Sequence, residues 1–182
     1  MRAKETELKG CYLLYPDLFK DNRGFFFESF NQEKFNQAIG QNIMFVQDNE
    51  SFSTQGVLRG LHFQKGDWSQ AKLVRVVKGS VWDVVVDIRQ NSPTFGEHFG
   101  IEISEENKMQ LFIPRGFAHG FVVLSESASF IYKCDNYYNK ESERGIIYDD
   151  PTLNIDWKLE KSKLIISEKD LVLPKLQNAE IL

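Results

Sequence analysis

The sequence predicts an all-β chain folded as a double-sheet jelly roll with a few short helices, and three observations carry that expectation. Short runs with a two-residue apolar period recur at close spacing, at residues 72–76, 81–89, 99–103, 109–113, 121–124 and 129–134. Fifteen Phe, six Tyr and three Trp suit pleated strands and an aromatic-lined pocket. Histidine-bearing strands fall on either side of the core, at His62 and His119, which fits two sheets enclosing a pocket at their open end. Periodicity by itself leaves sandwich and barrel both open.

The first readable element is a helix. Asn31 offers its side chain as N-cap, Phe35 and Ile39 stand four apart on one face, and Gly40 supplies a stop. Residues 56–64 read Gly-Val-Leu-Arg-Gly-Leu-His-Phe-Gln, an apolar strand broken by Gly60. Arg59 and His62 differ by three and point to opposite faces of a regular strand. Both line one pocket only if the chain bends, so a bulge is expected at Gly60. Residues 72–76 turn at Val77-Lys78-Gly79-Ser80 into the strand 81–89. There Trp82, Val84, Val86 and Ile88 share one face while Asp83, Val85, Asp87 and Arg89 share the other, the alternation of a half-buried strand. Pro114-Arg115-Gly116 makes a turn leading into a strand that opens with His119, and Ser167 starts a second, short helix. No repeat, low-complexity tract or linker interrupts the chain, so residues 1–182 are expected to form one domain.

Composition narrows the classes of function. Hydrophobic residues at 42% and charged residues at 26% exclude disorder and leave material for a sizeable core. A net charge of −4 argues against a broad nucleic-acid footprint, so any bound anion must be held by a few placed cations, with Arg23, Arg59 and Lys72 as candidates. Cys11 and Cys134 lack metal-ligand spacing and suit a reducing compartment. The amino terminus lacks an apolar signal core, and Asp83 cuts the longest apolar stretch, so no membrane span and a cytoplasmic location are expected.

Arg59 and His62 point to chemistry. Histidine exchanges protons near neutrality, with an unperturbed pKa of about 6.5, and arginine grips phosphate or carboxylate oxygens as a fixed fork. Together they suggest acid/base chemistry on an anionic substrate, although a satisfied core histidine beside a surface arginine is the plainer reading of that stretch alone. Further blocks decide the matter: Asp21-Asn22-Arg23-Gly24-Phe25-Phe26-Phe27-Glu28, Gln70-Ala71-Lys72-Leu73-Val74-Arg75-Val76-Val77-Lys78-Gly79, residues 83–89, Ile113-Pro114-Arg115-Gly116-Phe117-Ala118-His119-Gly120-Phe121, and Ala128-Ser129-Phe130-Ile131-Tyr132-Lys133. With residues 56–64, and in this order, they closely resemble the dTDP-4-dehydrorhamnose 3,5-epimerase family, from about Asp21 to Asp170.

The resemblance implies a cupin-like jelly roll, normally a homodimer, that works without a cofactor on a dTDP-4-keto-6-deoxy sugar nucleotide. The implied reaction is epimerisation at C3 and C5 of dTDP-4-dehydro-6-deoxy-D-glucose to dTDP-4-dehydro-L-rhamnose, in dTDP-L-rhamnose biosynthesis for cell-surface polysaccharide. Such a reaction needs a base, groups that stabilise an enolate oxygen, and an acid on the far side. By resemblance His62 is the base, Lys72 with Arg59 and His119 faces the sugar and its developing oxyanion, and Tyr132 is the acid. Asp170 is implied as the partner of the base and Lys169 as a diphosphate contact. Arg23 and Glu28 are implied to clasp the nucleotide, from their own or the neighbouring subunit, Gln47 and Asn49 to read base or sugar, Tyr138 to stack on thymine, and Glu143 to contact substrate. Tyr137 is the alternative register for the stacking residue.

Each residue also has a plainer reading. Ser167-Glu168-Lys169-Asp170 matches a helix capping box, which explains Asp170 without catalysis. Lys72 reads as a solvated lysine, Tyr132 as a core aromatic, His119 as a turn cap, and Glu143 as a loop charge; Gln47 and Asn49 suit a turn. A metal-dependent relative is suggested by Pro114-x-Gly116-x-x-His119, but the matching His-x-His with a following Glu is missing and a three-histidine set would have to recruit His98, so no metal is expected. A sugar-sensing module without chemistry, and an epimerase acting at one carbon or in another deoxysugar pathway, complete the alternatives.

Overall fold

Period-two alternation gives each strand two distinct faces, and the chain pairs its strands into two facing sheets. A computed structural model describes residues 1–181. In chain order these form β1 (Arg2–Glu5), β2 (Tyr12–Tyr15), β3 (Phe19–Asp21), β4 (Gly24–Phe26), α1 (Gln32–Ile39), β5 (Gln47–Thr54), β6 (Val57–Gln64), β7 (Lys72–Lys78) and β8 (Ser80–Asp87). They continue with β9 (His98–Ser104), β10 (Gln110–Ile113), β11 (Phe117–Val123), β12 (Ser127–Cys134), β13 (Glu143–Gly145), β14 (Ile165–Ile166) and α2 (Glu168–Leu171). One sheet runs β1-β2-β10-β7-β12-β5 and the other β13-β6-β11-β8-β9, with β14 joined in parallel to β6. The hairpin β3–β4 belongs to neither. Mostly β, with two sheets and few helices, this is the predicted jelly roll.

Between the sheets, Val74, Val76, Leu111 and Phe130 meet Val81, Val85, Phe117 and Phe121. The other face of the second sheet is covered by the segment after β13, where Ile146, Tyr148, Leu153 and Trp157 pack on Leu58, Val84, Val86 and Val122. On the first sheet, α1 lays Phe35 and Ile39 against Leu14, Leu73 and Phe112. The helix has the expected ends: the Asn31 side chain accepts from the Lys34 amide at 3.1 Å, and Gly40 adopts φ 66°.

Three strands depart from the sequence reading or refine it. The strand expected to be half-buried is β8, and it is buried on both faces because it lies inside a sheet covered on both sides. Burying a valine contributes about 1.5–3 kcal/mol, so Val84, Val85 and Val86, all at 0% exposure, make β8 an anchor of the fold. It ends at Asp87, whose carboxylate accepts from Arg89 Nε at 2.8 Å and from the Ser92 and Thr94 hydroxyls at 2.6 and 2.7 Å. Gln47 and Asn49, which suit a turn, open the eight-residue strand β5.

On β6, His62 pairs with His119, so the two histidine-bearing strands are neighbours in one sheet and not on either side of the core as expected; Arg59 pairs with Phe121, so three steps on β6 face two on β11. The extra residue lies at Gly60-Leu61, where the bulge is expected, and it brings Arg59 and His62 to one cavity. Glycine is required there. A Cβ on Gly60, at φ +126°, would lie 2.5 Å from Gly120 Cα and 2.8 Å from the His119 carbonyl oxygen.

Candidate active site

The alternation that packs the core also points a polar row of each sheet into the space between them. Gln47, Asn49 and Ser51 come from β5, Lys72 from β7 and Tyr132 from β12; Arg59 and His62 come from β6 and His119 from β11. They line a cavity of about 540 Å³ joined to a lobe of about 230 Å³, the two sharing His62, Lys72, Tyr132 and Glu143. Phe121 and Phe130, stacked at 4.3 Å, give the larger part an apolar wall. Lys169 and Asp170 are brought in by α2, and Tyr138 lines the lobe while Tyr137 does not.

His62 and Asp170 are joined directly, with Nε2 2.7 Å from Oδ1. The other Asp170 oxygen accepts weakly from the Gly60 amide at 3.4 Å. Burial pushes the Asp170 carboxyl up, but the hydrogen bond and charge of His62, with the Gly60 amide, outweigh it and hold the group below its ordinary range. Half of the capping reading also holds, since the Ser167 hydroxyl accepts from the Asp170 amide at 3.2 Å. The other half does not form: the Asp170 carboxylate is turned to His62 and Gly60 instead of back to the Ser167 amide, so Asp170 is a capped residue and a partner of His62, not itself a cap.

Lys72 has no carboxylate at ion-pair distance among the described residues, and its ammonium lies 6.0 Å from the centre of the Tyr132 ring. Burial pushes its pKa down, against weaker opposing effects of Cys134, Asp83 and Glu143. Burial likewise raises the Tyr132 hydroxyl, which Arg59 partly counters. An unpaired ammonium in a desolvated cavity is suited to meet negative charge developing on a substrate oxygen. Arg59 is held by Nε donating to Ser53 Oγ at 3.1 Å.

Sequence reasoning missed Asp83. Its two oxygens lie 3.0 and 2.9 Å from His119 Nε2, and the aspartate is fully buried. Alternation put it opposite the apolar face of β8, which reads as a solvent face, whereas that face looks between the sheets. Gln64 was also missed: its Oε1 accepts from the Asn139 amide at 2.7 Å, tethering the loop that carries Tyr138. Gln47 Oε1 accepts from the Tyr138 amide at 3.0 Å. Glu143 lies between Lys169, 2.7 Å away, and the Tyr138 hydroxyl, which donates to it at 2.9 Å. Burial raises the Glu143 carboxyl, but these two partners outweigh it and keep it low.

Arg23 and Glu28 are not brought to this cavity. Arg23 sits between β3 and β4, its side chain 86% exposed and paired with Asp21. Glu28 pairs with Lys34 at 2.8 Å on the far side of the first sheet. His98 is an exposed strand start. Among the described residues no three His, Cys, Asp or Glu side chains converge to hold a metal ion, and no helix is long and apolar enough to cross a membrane.

His62 reaches the cavity from one sheet and Tyr132 from the other. A base and an acid so disposed can take a proton from one face of a bound ring and return one to the opposite face. Residues 5–178 match the family model described as dTDP-4-dehydrorhamnose 3,5-epimerase. The enzyme of that name from Shigella flexneri is 51% identical over 180 residues, covering 99% of this chain and 98% of its own. The crystal structure of dTDP-4-dehydrorhamnose 3,5-epimerase from Elizabethkingia anophelis NUHP1 superposes with a TM-score of 0.94 at 55% identity, over 98% of this chain and 97% of that one. A dTDP-6-deoxy-D-glucose-3,5-epimerase from Legionella pneumophila Philadelphia 1, in complex with dTDP-4-keto-L-rhamnose, superposes with a TM-score of 0.93 at 47% identity, over 97% and 93% of the two chains. By sequence and fold alike, this chain belongs to the dTDP-4-dehydrorhamnose 3,5-epimerase family.

Proposed function

We propose that this enzyme epimerises C3 and C5 of dTDP-4-dehydro-6-deoxy-D-glucose, yielding dTDP-4-dehydro-L-rhamnose. The observation that carries the reading is the His62–Asp170 pair facing Tyr132 across one cavity. In the proposed mechanism His62 removes the proton next to the C4 ketone, and Asp170 orients the ring and supports the positive charge it acquires. Lys72, with Arg59 and His119, stabilises the enolate oxygen, and Tyr132 protonates the carbon from the other face. Before the second carbon reacts, His62 gives its proton to solvent and Tyr132 takes one from solvent, which returns base and acid to their starting states. No cofactor or metal takes part, and residues 1–182 act as one catalytic domain.

Remote binding would be supplied by the nucleotide, with Tyr138 stacking on thymine, Gln47 and Asn49 hydrogen-bonding beside it, and Lys169 contacting the diphosphate. Arg23 and Glu28 join them in a homodimer, each reaching the partner's cavity. Their distance from their own cavity supports this, as do the exposed Phe19, Phe25 and Phe26 of the hairpin, 65%, 55% and 70% accessible. The enzyme would act in the cytoplasm, supplying the 4-keto precursor of activated L-rhamnose for cell-surface polysaccharide.

Incubating the enzyme with the 4-keto-6-deoxy nucleotide sugar in deuterated water and locating the label by NMR tests the reaction. Deuterium at both C3 and C5, with both centres inverted, is expected. Label and inversion at C3 alone would make it a single-centre epimerase, and no exchange would remove the enzymatic reading.

A further inference from the structure

Glu143 is expected from the family resemblance to contact substrate, yet its carboxylate is already engaged by the protein. One oxygen, Oε2, takes both Lys169 Nζ and the Tyr138 hydroxyl. Lys169 immediately precedes Asp170 on α2, a helix of only four residues. That helix has little packing of its own, for Leu171 and the following Val172 are 49% and 82% exposed. The chain is anchored before it by β14 on β6 and after it by Leu173 beside Gly145, and the ties of the helix itself to the cavity are polar: the Ser167 cap, the bonds of Asp170 to His62 and Gly60, and the Lys169–Glu143 pair. Glu143 in turn stands on β13, whose Gly145 pairs in register with His62 on β6. One carboxylate thus spans from the strand beside His62 to the helix that carries the partner of His62.

We propose that Glu143 is a positioning residue for the base. Through Lys169 it holds α2 where Asp170 meets His62, and through Tyr138 it ties that alignment to the aromatic assigned to the nucleotide base. The inference rests on the proposed reading of His62 and Asp170 as base and partner. A contact made only to substrate would act on binding, whereas a brace acts on turnover. An ion pair with Lys169 59% exposed adds little to global stability, so its loss is expected to leave folding intact.

The test measures kcat, KM, melting temperature and the dissociation constant for dTDP in Glu143→Gln, Lys169→Met, Lys169→Arg, Asp170→Asn and the Glu143→Gln/Asp170→Asn double variant. Misplacement of a reacting group by about 1 Å costs on the order of a hundredfold. Glu143→Gln should therefore lower kcat by roughly tenfold or more at near-native melting temperature; Lys169→Met should do the same and also raise KM through the lost diphosphate contact, and Lys169→Arg should recover most of both. In the Asp170→Asn background Glu143→Gln should lower kcat no further, because its effect passes through Asp170. Should Glu143→Gln raise KM and weaken dTDP binding at unchanged kcat, or should its effect on kcat multiply with that of Asp170→Asn, Glu143 is a substrate contact and the proposal is overturned. Native turnover in Asp170→Asn removes the His62–Asp170 reading and the brace with it; a slow Asp170→Asn beside a native kcat in Glu143→Gln overturns the brace alone.

Discussion

Replacing Gly60 by alanine should damage stability and catalysis together, since the bulge on β6 is what lets Arg59 and His62 share a cavity. Two strains add. At φ +126° an L-residue occupies a sparsely populated region, at a cost of about 1–3 kcal/mol. The new Cβ would also lie 2.5 Å from Gly120 Cα and 2.8 Å from the His119 carbonyl oxygen, both backbone atoms that yield only if β6 and β11 part. Overpacking of that kind adds roughly 1–3 kcal/mol, giving a loss of about 2–6 kcal/mol against a total stability on the order of 5–15 kcal/mol. The separation would fall between His62 and its register partner His119, and would pull the Gly60 amide from Asp170. Urea unfolding followed by tryptophan fluorescence reads the stability, and deuterium exchange into substrate reads the base. A Gly60→Ala protein within about 0.5 kcal/mol of wild type, the scatter of innocuous surface changes, with native exchange would refute the reasoning about the bulge.

Three further outcomes are expected. Burial raises the Asp87 carboxyl, but hydrogen bonds from Arg89, Ser92 and Thr94 overcome it and bring the group from 3.8 to about 2. At about 1.4 kcal/mol per pH unit this is worth roughly 2 kcal/mol. A depressed folded-state pKa stabilises above the unfolded value, so urea unfolding should show Asp87→Asn weaker than wild type by about that amount at pH 7, the gap closing as pH falls from about 4 toward 2; an equal gap at pH 7 and pH 2 contradicts the linkage. Tyr138→Ala should weaken dTDP binding in calorimetry more than it slows exchange, and the same result from Tyr137→Ala alone would shift the stacking register by one. Dialysis against EDTA should leave turnover unchanged, whereas loss of activity restored by one divalent metal would favour a metal-dependent mechanism.

How much of this was legible in the sequence depended on where each residue's partners lie. Helix α1 could be read in full because its cap, its buried pair Phe35 and Ile39, and its stop at Gly40 are all local signals. Strand β5 could not, because its inward residues Gln47, Asn49 and Ser51 are polar and line a cavity, so the usual pattern of apolar side chains turned inward is reversed. Asp83 failed for the same reason, as a charge in an alternating strand reads as facing water when its partner, His119, is a distant strand's residue. The bulge at Gly60 was legible because Arg59 and His62 demanded it geometrically. The capping box around Asp170 was legible from its neighbours only as far as the Ser167 half, which forms, while the bond of the Asp170 carboxylate to His62, 108 residues away, came only through family resemblance. The remoteness of Arg23 and Glu28 from their own cavity lay beyond sequence patterns altogether, since nothing local says which way the β3–β4 hairpin points.

The central claim, that His62 takes a proton on one face and Tyr132 returns one on the other, is tested most directly by comparing His62→Ala with Tyr132→Phe in deuterated water. Substrate and product are separated, and deuterium at C3 and C5 and the configuration at each carbon are read by NMR. His62→Ala should lose exchange and inverted product alike, by roughly the hundredfold to ten-thousandfold a general base supplies. Tyr132→Phe should still carry deuterium into substrate with configuration retained, because His62 can return what it takes, while inverted product falls steeply. Near-native turnover by a folded His62→Ala protein would contradict the account, and so would full inversion by Tyr132→Phe.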